Sequence, residues 1–557
     1  MAEKKNLSPI EKIKEESDAL RGTLKESLQN EITGALFEAD KSLIKFHGIY
    51  EQDDRDRREE RAEKKLERAY SFMIRLRLPG GLMTGEQWLA TDDIATKYST
   101  GVIKITTRQT IQLHGIVKTD MKPTLKWFDK FNLDSIAACG DVNRNVVCAA
   151  HPKQSPIHEE IFQYADKIST LLLPKTRAFY EIWLDDEKIV DKKLEEDPLY
   201  KDTYLPRKFK ISIAIPPNND IDVFANDIGL IAIIEKDKLK GFNIAVGGGM
   251  SSTHGNVSTY ARVGSVIGFT ETEEKTLKAI YEIVTIQRDF GNRSDRKLAR
   301  LKYTVDKVGL DWFKQELENR CGFALQPAKK FDFNQRIDYY GWHKNHEGKW
   351  YYTLFVENGR ICDEDGLLLR TALREIAKTG KATFRFTANQ NVIVADVVEK
   401  DKAAINEMLK AYKLIEHTEH RTGIRKNSMA CVALPTCPLA LAEAQRYLPS
   451  LITRIEGLME ECKIPNDDII IRMTGCPNGC ARPGLAEIAF IGVSPERYNL
   501  YLGGDAAGFR LNKIYKENLD ETEILNELKP VLQSYVSERN KQETFGDFVM
   551  RKQLVSA

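Results

Sequence analysis

The sequence has no apolar run approaching the length of a membrane span; Ile228 to Ile234 is about the longest. Its first residues, Met-Ala-Glu-Lys-Lys-Asn, lack the apolar centre of a secretory leader. No charge of one sign dominates. Against 83 Lys and Arg stand 82 Asp and Glu, a formal charge of +1, which gives no support to nucleic acid or an anionic membrane as the main partner. A paired disulfide framework is also missing. Nine cysteines is an odd number, and Cys139, Cys148, Cys321, Cys362 and Cys462 are scattered without regular spacing. A reducing, cytoplasmic compartment suits that usage best. No G-x-G-x-x-G fingerprint for a flavin or dinucleotide is evident, and Gly247-Gly248-Gly249 lacks the Lys-Ser/Thr of a phosphate loop.

What is present is concentrated between Cys431 and Cys480. Cys431-Val-Ala-Leu-Pro-Thr-Cys437 is followed by a helix-like stretch and then by Thr474-Gly-Cys476-Pro-Asn-Gly-Cys480-Ala-Arg-Pro. Thiolates select zinc, copper(I) or iron–sulfur clusters. Structural zinc usually takes its cysteines two to four residues apart on both arms, and five intervening residues in the first pair fit that poorly. A bacterial-ferredoxin run is closer spaced. The prolines after Cys437 and Cys476 hold the chain away from helix, and Asn478-Gly479 supplies a tight turn. Ligand chemistry favours a [4Fe–4S] cluster, with zinc as the alternative.

The 557 residues suggest about three domains. Residues 1 to about 45 are polar with a weak helical period (Ile10, Ile13, Leu20, Leu24), which reads either as a frayed arm or as a segment ordering on a partner protein. The mixed-charge run over 51–68 reads as a solvated face. From residue 70 the pattern is strand at Met73–Leu78, with Arg75 and Arg77 on one face, helix at Gly85–Tyr98, and strand from Ile103 to Gln109. Helices at Pro123–Phe131 and Pro156–Leu173 and strands at Ile211–Ile215 and Leu230–Ile234 follow. This order suits an α+β, or mixed α/β, plan.

The chain also repeats itself. Phe384-Arg-Phe-Thr-Ala-Asn-Gln390 echoes Ile103-Lys-Ile-Thr-Thr-Arg-Gln109, and Asn499-Leu-Tyr-Leu-Gly-Gly504 echoes Asn243-Ile-Ala-Val-Gly-Gly248. Matching Pro217-Asn218 with Pro477-Asn478 sets Pro216 and Asp220 opposite Cys476 and Cys480. Matching Cys148 with Cys431 and Pro152 with Pro435 sets Gln154 opposite Cys437. Such an offset marks duplication of a whole module. Only the second copy keeps all four thiols, so one cluster is predicted.

The C-x5-C…C-x3-C pattern with Thr-Gly-Cys-Pro-Asn-Gly-Cys resembles the sirohaem-dependent sulfite and nitrite reductases, over roughly residues 45–550, and within them the haemoprotein (beta) subunits served by an NADPH-oxidising flavoprotein. The resemblance implies an internally duplicated fold of three domains with pseudo-two-fold symmetry. Residues 1–69 would form an N-terminal arm and wrapping segment, and 70–136 with 332–411 a central ferredoxin-like duplicated domain. Residues 137–331 would bind sirohaem and substrate, and 412–557 the cluster and sirohaem. It further implies that Cys431, Cys437, Cys476 and Cys480 ligate the cluster, with Cys480 bridging to the sirohaem iron, and that Asn478 lies against the cofactors.

The implied reaction is six-electron reduction of sulfite to sulfide, with electrons from a flavoprotein partner for which the N-terminal arm is a candidate docking segment. The alternatives are a ferredoxin-dependent sulfite or nitrite reductase, and a non-catalytic zinc or iron–sulfur protein. Sulfite needs cations to hold it and proton donors beside it. Arg75, Arg144, Lys208 and Lys210 each read singly as solvated charges, but by motif they resemble the basic residues around bound sulfite. Arginine is the better anion clamp and crowded lysine the better proton donor. Hence Arg75 and Arg144 are expected to bind the anion, and Lys208 and Lys210 to bind it and deliver protons.

Sirohaem carries eight carboxylates. Thr106, Arg108, Gln112 and His114, taken as one face of a continuous strand, are its candidate contacts, with Asn292, Arg293, Arg296 and Lys297 as a second group. Gly247–Gly249 suits a close backbone approach to the tetrapyrrole. Among the remaining cysteines, Cys139 lies near this expected pocket.

Overall fold

The computed structural model describes residues 6–151, 153–175, 197–464 and 467–556; Pro152 and residues 1–5 lie outside them. Local signals explain the elements that position the site. The helix Gly85–Tyr98 starts at a capping box in which Thr84 and Gln87 satisfy each other's backbone amides. The helix Pro156–Leu171 begins with proline at its first position.

Four five-stranded sheets carry the architecture. Two of them interlock. The order Ile49–Asp53, Tyr70–Arg75, Ile111–Ile116, Ile103–Ile105, Arg360–Ile361 is matched by Gly341–Lys344, Trp350–Leu354, Val392–Val397, Thr383–Phe386, Leu82–Met83. Each sheet thus takes its last short strand from the other half of the chain. Arg360 pairs with Lys104, and Leu82 with Arg385.

The other two sheets are mixed and share one topology. Val147–Cys148, Ile211–Ala214 and Ile228–Glu235 run parallel, followed by antiparallel Lys238–Val246 and Ser265–Thr270. Ser428–Ala430, Ile471–Thr474 and Ile488–Ser494 repeat this, followed by Arg497–Leu502 and Lys513–Leu519. The fold is therefore mixed α/β and internally duplicated. One apolar core runs from Leu20 and Leu24 through the interlocked sheets to Ile211 and Ile228. A separate one, with Leu451, Ile471, Phe490 and Leu528, lies under the cysteine-bearing sheet.

Three sequence expectations need correction. The strand expected over Met73–Leu78 is Tyr70–Arg75, so Arg77 lies beyond it and pairs with Asp134 at 2.9 Å instead of sharing a face with Arg75. The continuous strand through Thr106–His114 is a hairpin. Ile103–Ile105 and Ile111–Ile116 are joined by a turn in which the Thr106 N–H donates to Thr110 O at 2.8 Å, and Gln109 takes φ +52°. The reason is tertiary: the turned Gln109 exchanges hydrogen bonds with Cys148, Nε2 to O at 2.7 Å and N to Oε1 at 2.9 Å. Its repeat Gln390, at φ +71°, likewise donates to Ala430 O at 3.1 Å.

The third correction concerns the N-terminal arm, whose described residues pack on the core instead of forming a solvated extension. Its helix Pro9–Glu15 buries Glu11 and Lys14. Lys14 Nζ lies 2.5 Å from Glu11, 3.7 Å from Asp141, and donates to Leu205 O at 2.8 Å; Glu11 also pairs with Arg293. The buried charges, more than the apolar period, dock the arm. Glu11→Ala is expected to cost about 1–3 kcal/mol, since two cations then lose an acceptor, and to make the arm the earliest site of limited proteolysis. The charged run over 51–68 also does more than face solvent. Arg55 donates through its backbone to Pro435 O at 3.4 Å and through Nη1 to Ala440 O at 2.7 Å, bracing the loop that carries Cys437.

Candidate active site

The strand Ser428–Ala430 runs into Cys431, and its parallel neighbour Ile471–Thr474 into Gly475-Cys476. Both cysteine pairs therefore leave the carboxyl ends of adjacent parallel strands, where open α/β sheets place ligands. None of the four thiols is in a disulfide; Cys476 is buried and Cys480 exposed. Burial, and then the neighbouring Cys480, push the Cys437 thiol up to about 12 and raise Cys431 and Cys476 as well. Gly475 N donates to Cys431 Sγ at 3.4 Å and Asn478 Nδ2 to Cys476 Sγ at 3.3 Å. A side chain at Gly475 would meet Ala442 O at 2.4 Å, so the loop passes as close as backbone allows.

Among the described residues no three of these thiols lie within 4.8 Å of one another. Tetrahedral zinc with 2.3 Å bonds would draw them to about 3.8 Å. Soft donors from two adjacent loops, with amides aimed at the sulfurs, fit an iron–sulfur cluster.

Next to the thiols is a cleft lined by Arg108, Lys210, Arg300, Asn478, Cys480 and Arg482 among others, with no carboxylate in its lining. Burial, then repulsion from Arg207, Lys210 and Arg144, holds Lys208 well below the usual ammonium range. For Lys210 burial is followed by Arg300 and Arg108, with Cys480 acting in the opposite sense. Lys208 is likewise within electrostatic reach of Cys476. Arg108 is pinned by Asn226 Oδ1 at 2.5 Å and by the carbonyls of Asn145 and Ile211 at 2.5 and 2.9 Å, while its buried Nε has no acceptor. Crowded cations, an unmet donor and an exposed thiol fit a polyanionic cofactor such as sirohaem reaching Cys480.

The remaining expected residues fall in three places. Arg144 is buried, donating to Gly140 O at 3.1 Å and Tyr50 Oη at 3.3 Å. Arg75 donates to Cys139 Sγ at 2.9 Å, so Cys139 sits at an anion-binding candidate. Gln112 and His114 occupy the second hairpin strand, while Thr106 and Arg108 sit in its turn. His114 touches Gln52 Oε1 at 2.9 Å through Nδ1, and burial, then Lys104 and Arg75, push it down to about 3, so it stays neutral.

The group from Asn292 to Lys297 is split. Arg293 is spent on Glu11 and on Tyr204 O at 2.6 Å, Arg296 on Asp141 at 2.7 and 2.9 Å, Asn292 on a local turn with Ser294 and Asp295, and Lys297 is exposed. A larger open groove between the helices Gly85–Tyr98, Met121–Lys130 and Leu369–Lys378 contains none of the expected site residues.

Sequence reasoning missed Arg207, Arg300 and Arg482. Arg207 stands next to Lys208 and Arg482 two residues after Cys480, so proximity in sequence could have flagged both. Arg300 carried no such signal. It is buried against Asp227 at 2.8 Å, and Asp227 also accepts the Lys210 backbone N–H at 3.0 Å, which steadies that lysine.

Comparison with known proteins gives the family and the fold. The family model described as nitrite/sulfite reductase ferredoxin-like half domain matches residues 65–128 and 343–412. The model described as nitrite and sulphite reductase 4Fe-4S domain matches 163–325, the copy without the four cysteines. The chain is 58% identical over 551 residues to the sulfite reductase [NADPH] hemoprotein beta-component of Leptospira biflexa, covering 99% of each. It is 54% identical over 547 residues to the protein of that name from Oceanobacillus iheyensis, covering 98% of this chain and 94% of the other. In fold it matches the Mycobacterium tuberculosis NirA protein with a TM-score of 0.80 at 22% identity, over 98% and 96% of the two chains.

Proposed function

The chain belongs to the nitrite and sulphite reductase family, and from that premise we propose that it is the haemoprotein component of an NADPH-dependent sulfite reductase. It reduces sulfite to sulfide, SO3²⁻ + 7H⁺ + 6e⁻ → HS⁻ + 3H2O, with sirohaem and one [4Fe–4S] cluster. The observation that carries this is the cleft beside the four cysteines, lined by Arg108, Lys210, Arg300, Arg482, Asn478 and Cys480 without a carboxylate, with Lys208 and Lys210 within electrostatic reach of Cys476 and Cys480. Cys431, Cys437, Cys476 and Cys480 would hold the cluster. Arg108 and Asn478, with Arg300 and Arg482, would border the sirohaem. When bound, these groups supply one-electron transfers to the sulfur atom.

The protein's own residues hold the anion and feed it protons. Arg75 and Arg144 present planar guanidinium forks that remain charged. Lys208 and Lys210 start with depressed proton affinity, and an anion beside them raises it, because opposite charge favours the ammonium. Binding thus loads the donors that the reaction next discharges. The bound state holds more protons than the free state, so affinity must fall as pH rises. Sulfite binding to the holoenzyme is expected to take up about one proton, weakening up to about tenfold per pH unit. Calorimetry in buffers of different ionisation enthalpy measures this; a buffer-independent enthalpy would refute it.

A flavoprotein reductase is the proposed electron donor, since the chain shows no dinucleotide fingerprint. The arm's remaining contact surface is its exposed face, with Lys12, Glu15 and Glu16. No helix among the described residues is long and apolar enough to cross a membrane, and we place the protein in the cytoplasm. The proposed domains are 70–136 with 332–411, 137–331 and 412–557, preceded by the arm. Steady-state turnover with an artificial one-electron donor tests the assignment: higher kcat/KM for sulfite than for nitrite is expected. A preference for nitrite would move the chain to another branch of the family.

A further inference from the structure

The duplication leaves a counterpart of the cluster site in the first half of the chain, and that counterpart has different chemistry. His151 lies in the loop after the strand Val147–Cys148, and Asp220 in the loop after Ile211–Ala214. These match the loops that carry Cys431–Cys437 and Cys476–Cys480, and Asp220 stands opposite Cys480. Asp338 joins them from the segment entering the second half. One ligand atom from each of the three lies within 4.8 Å of the others, and all three are buried, at 2%, 3% and 5% exposure. We propose that His151, Asp220 and Asp338 hold a divalent first-row metal ion.

The hydrogen-bond inventory carries the argument. Both ring nitrogens of His151 are buried without a partner among the described residues, and so is Asp220 Oδ1. Buried polar atoms normally find partners, and an imidazole with two idle nitrogens beside idle carboxylate oxygen is a ligand set lacking its ion. The surrounding groups hold the ligands in place. Asp338 accepts from Thr387 Oγ1 at 2.6 Å, Asn391 Nδ2 at 2.7 Å and Asn389 Nδ2 at 3.1 Å, and Asp220 Oδ2 accepts from Ala150 N at 3.2 Å. Tyr339 packs on the imidazole with ring centroids 4.6 Å apart. Outer-shell bonds of this kind orient metal ligands.

Charge points the same way. Without a cation, burial and then Asp338 push Asp220 up to about 8, and burial pushes His151 down to about 3. The imidazole is then neutral, with a lone pair to give, and two carboxylates share a dry site that a dication would neutralise. One imidazole with two carboxylates suits zinc, iron(II) or manganese, not calcium or copper(I).

Holoenzyme dialysed against a chelator and then against Zn²⁺ alone is expected to retain one zinc per chain beyond its cofactor iron. X-ray absorption at the zinc edge should show only nitrogen and oxygen neighbours at about 2.0–2.1 Å. His151→Asn and Asp220→Asn should each weaken zinc retention about 100-fold or more while leaving the sirohaem visible band intact. The band serves as the folding check, and His151→Gln replaces a variant that loses it. Failure of the wild type to retain Zn²⁺ or Mn²⁺ would overturn the proposal, and would mean that the two carboxylates share a proton. Sulfur neighbours at about 2.3 Å, or retention unchanged in both variants, would overturn it equally.

Discussion

Asp222→Asn is expected to destabilise the protein by about 3–5 kcal/mol, the cost of removing one partner from a buried charge cluster. Asp222 is fully enclosed and meets three arginines: Arg336 at 2.8 Å, Arg472 at 2.6 Å and Arg482 at 2.5 Å. Asp222 and Arg482 occupy matching positions of the two copies, both in left-handed backbone (φ +49° and +54°). The contact therefore ties one half to the other at the pseudo-two-fold axis. Neutralising Asp222 strands buried guanidiniums, and Arg482 lies two residues after Cys480, so the cluster loop should loosen too.

The measurable results are an apparent melting temperature lower by on the order of 10 °C and reduced cluster iron per chain. The exposed Asp332→Asn should change stability by less than about 0.5 kcal/mol. The pH sign is definite. The arginines hold the Asp222 carboxyl well below its ordinary range despite its burial, so its contribution is complete above about pH 4 and is lost as pH falls towards the folded value. The difference between wild type and variant should be flat from pH 6 to 8 and narrow only in strong acid. Equal stability at neutral pH would show that the cluster is not what joins the halves.

Lys210→Met should lower kcat for sulfite by about 10²–10⁴, the usual worth of a positioned acid–base group. The methionine keeps the apolar stem and removes the proton. Because Lys210 is anchored by its backbone N–H to Asp227 and not by its ammonium, the fold and the sirohaem spectrum should be retained. A fall in kcat with an unchanged spectrum assigns proton delivery. A rise in KM alone would assign anion binding only, and unchanged turnover would remove Lys210 from the mechanism. Lys208→Met should behave similarly, with a larger effect on KM because Lys208 stands next to Arg207 and within reach of Arg144.

Much of the site was legible because covalent spacing and residue chemistry travel together. The two cysteine pairs announce a soft-metal site before any fold is known, and the Ile103–Gln109 and Phe384–Gln390 repeats announce duplication. Local alternation misleads where a tertiary contact overrides it. Thr106–His114 scores as one strand by pattern, yet Gln109 turns out of it to bond Cys148. Arg293 looks like a cofactor cation, yet an ion pair with Glu11, 282 residues earlier in the chain, uses it. The arm looks solvated because its docking groups are charges, which hydropathy counts as surface.

The sequence by itself determined the cluster chemistry and the duplicated mixed α/β plan, since each is written in neighbouring residues or in a repeat at constant offset. Only the tertiary structure decided that the halves exchange edge strands, that Asp222 locks to its own counterpart Arg482, and that His151 meets Asp220 and Asp338. Those contacts join residues tens to hundreds of positions apart. No local periodicity encodes such pairings, because they are selected by burial and charge in the folded chain.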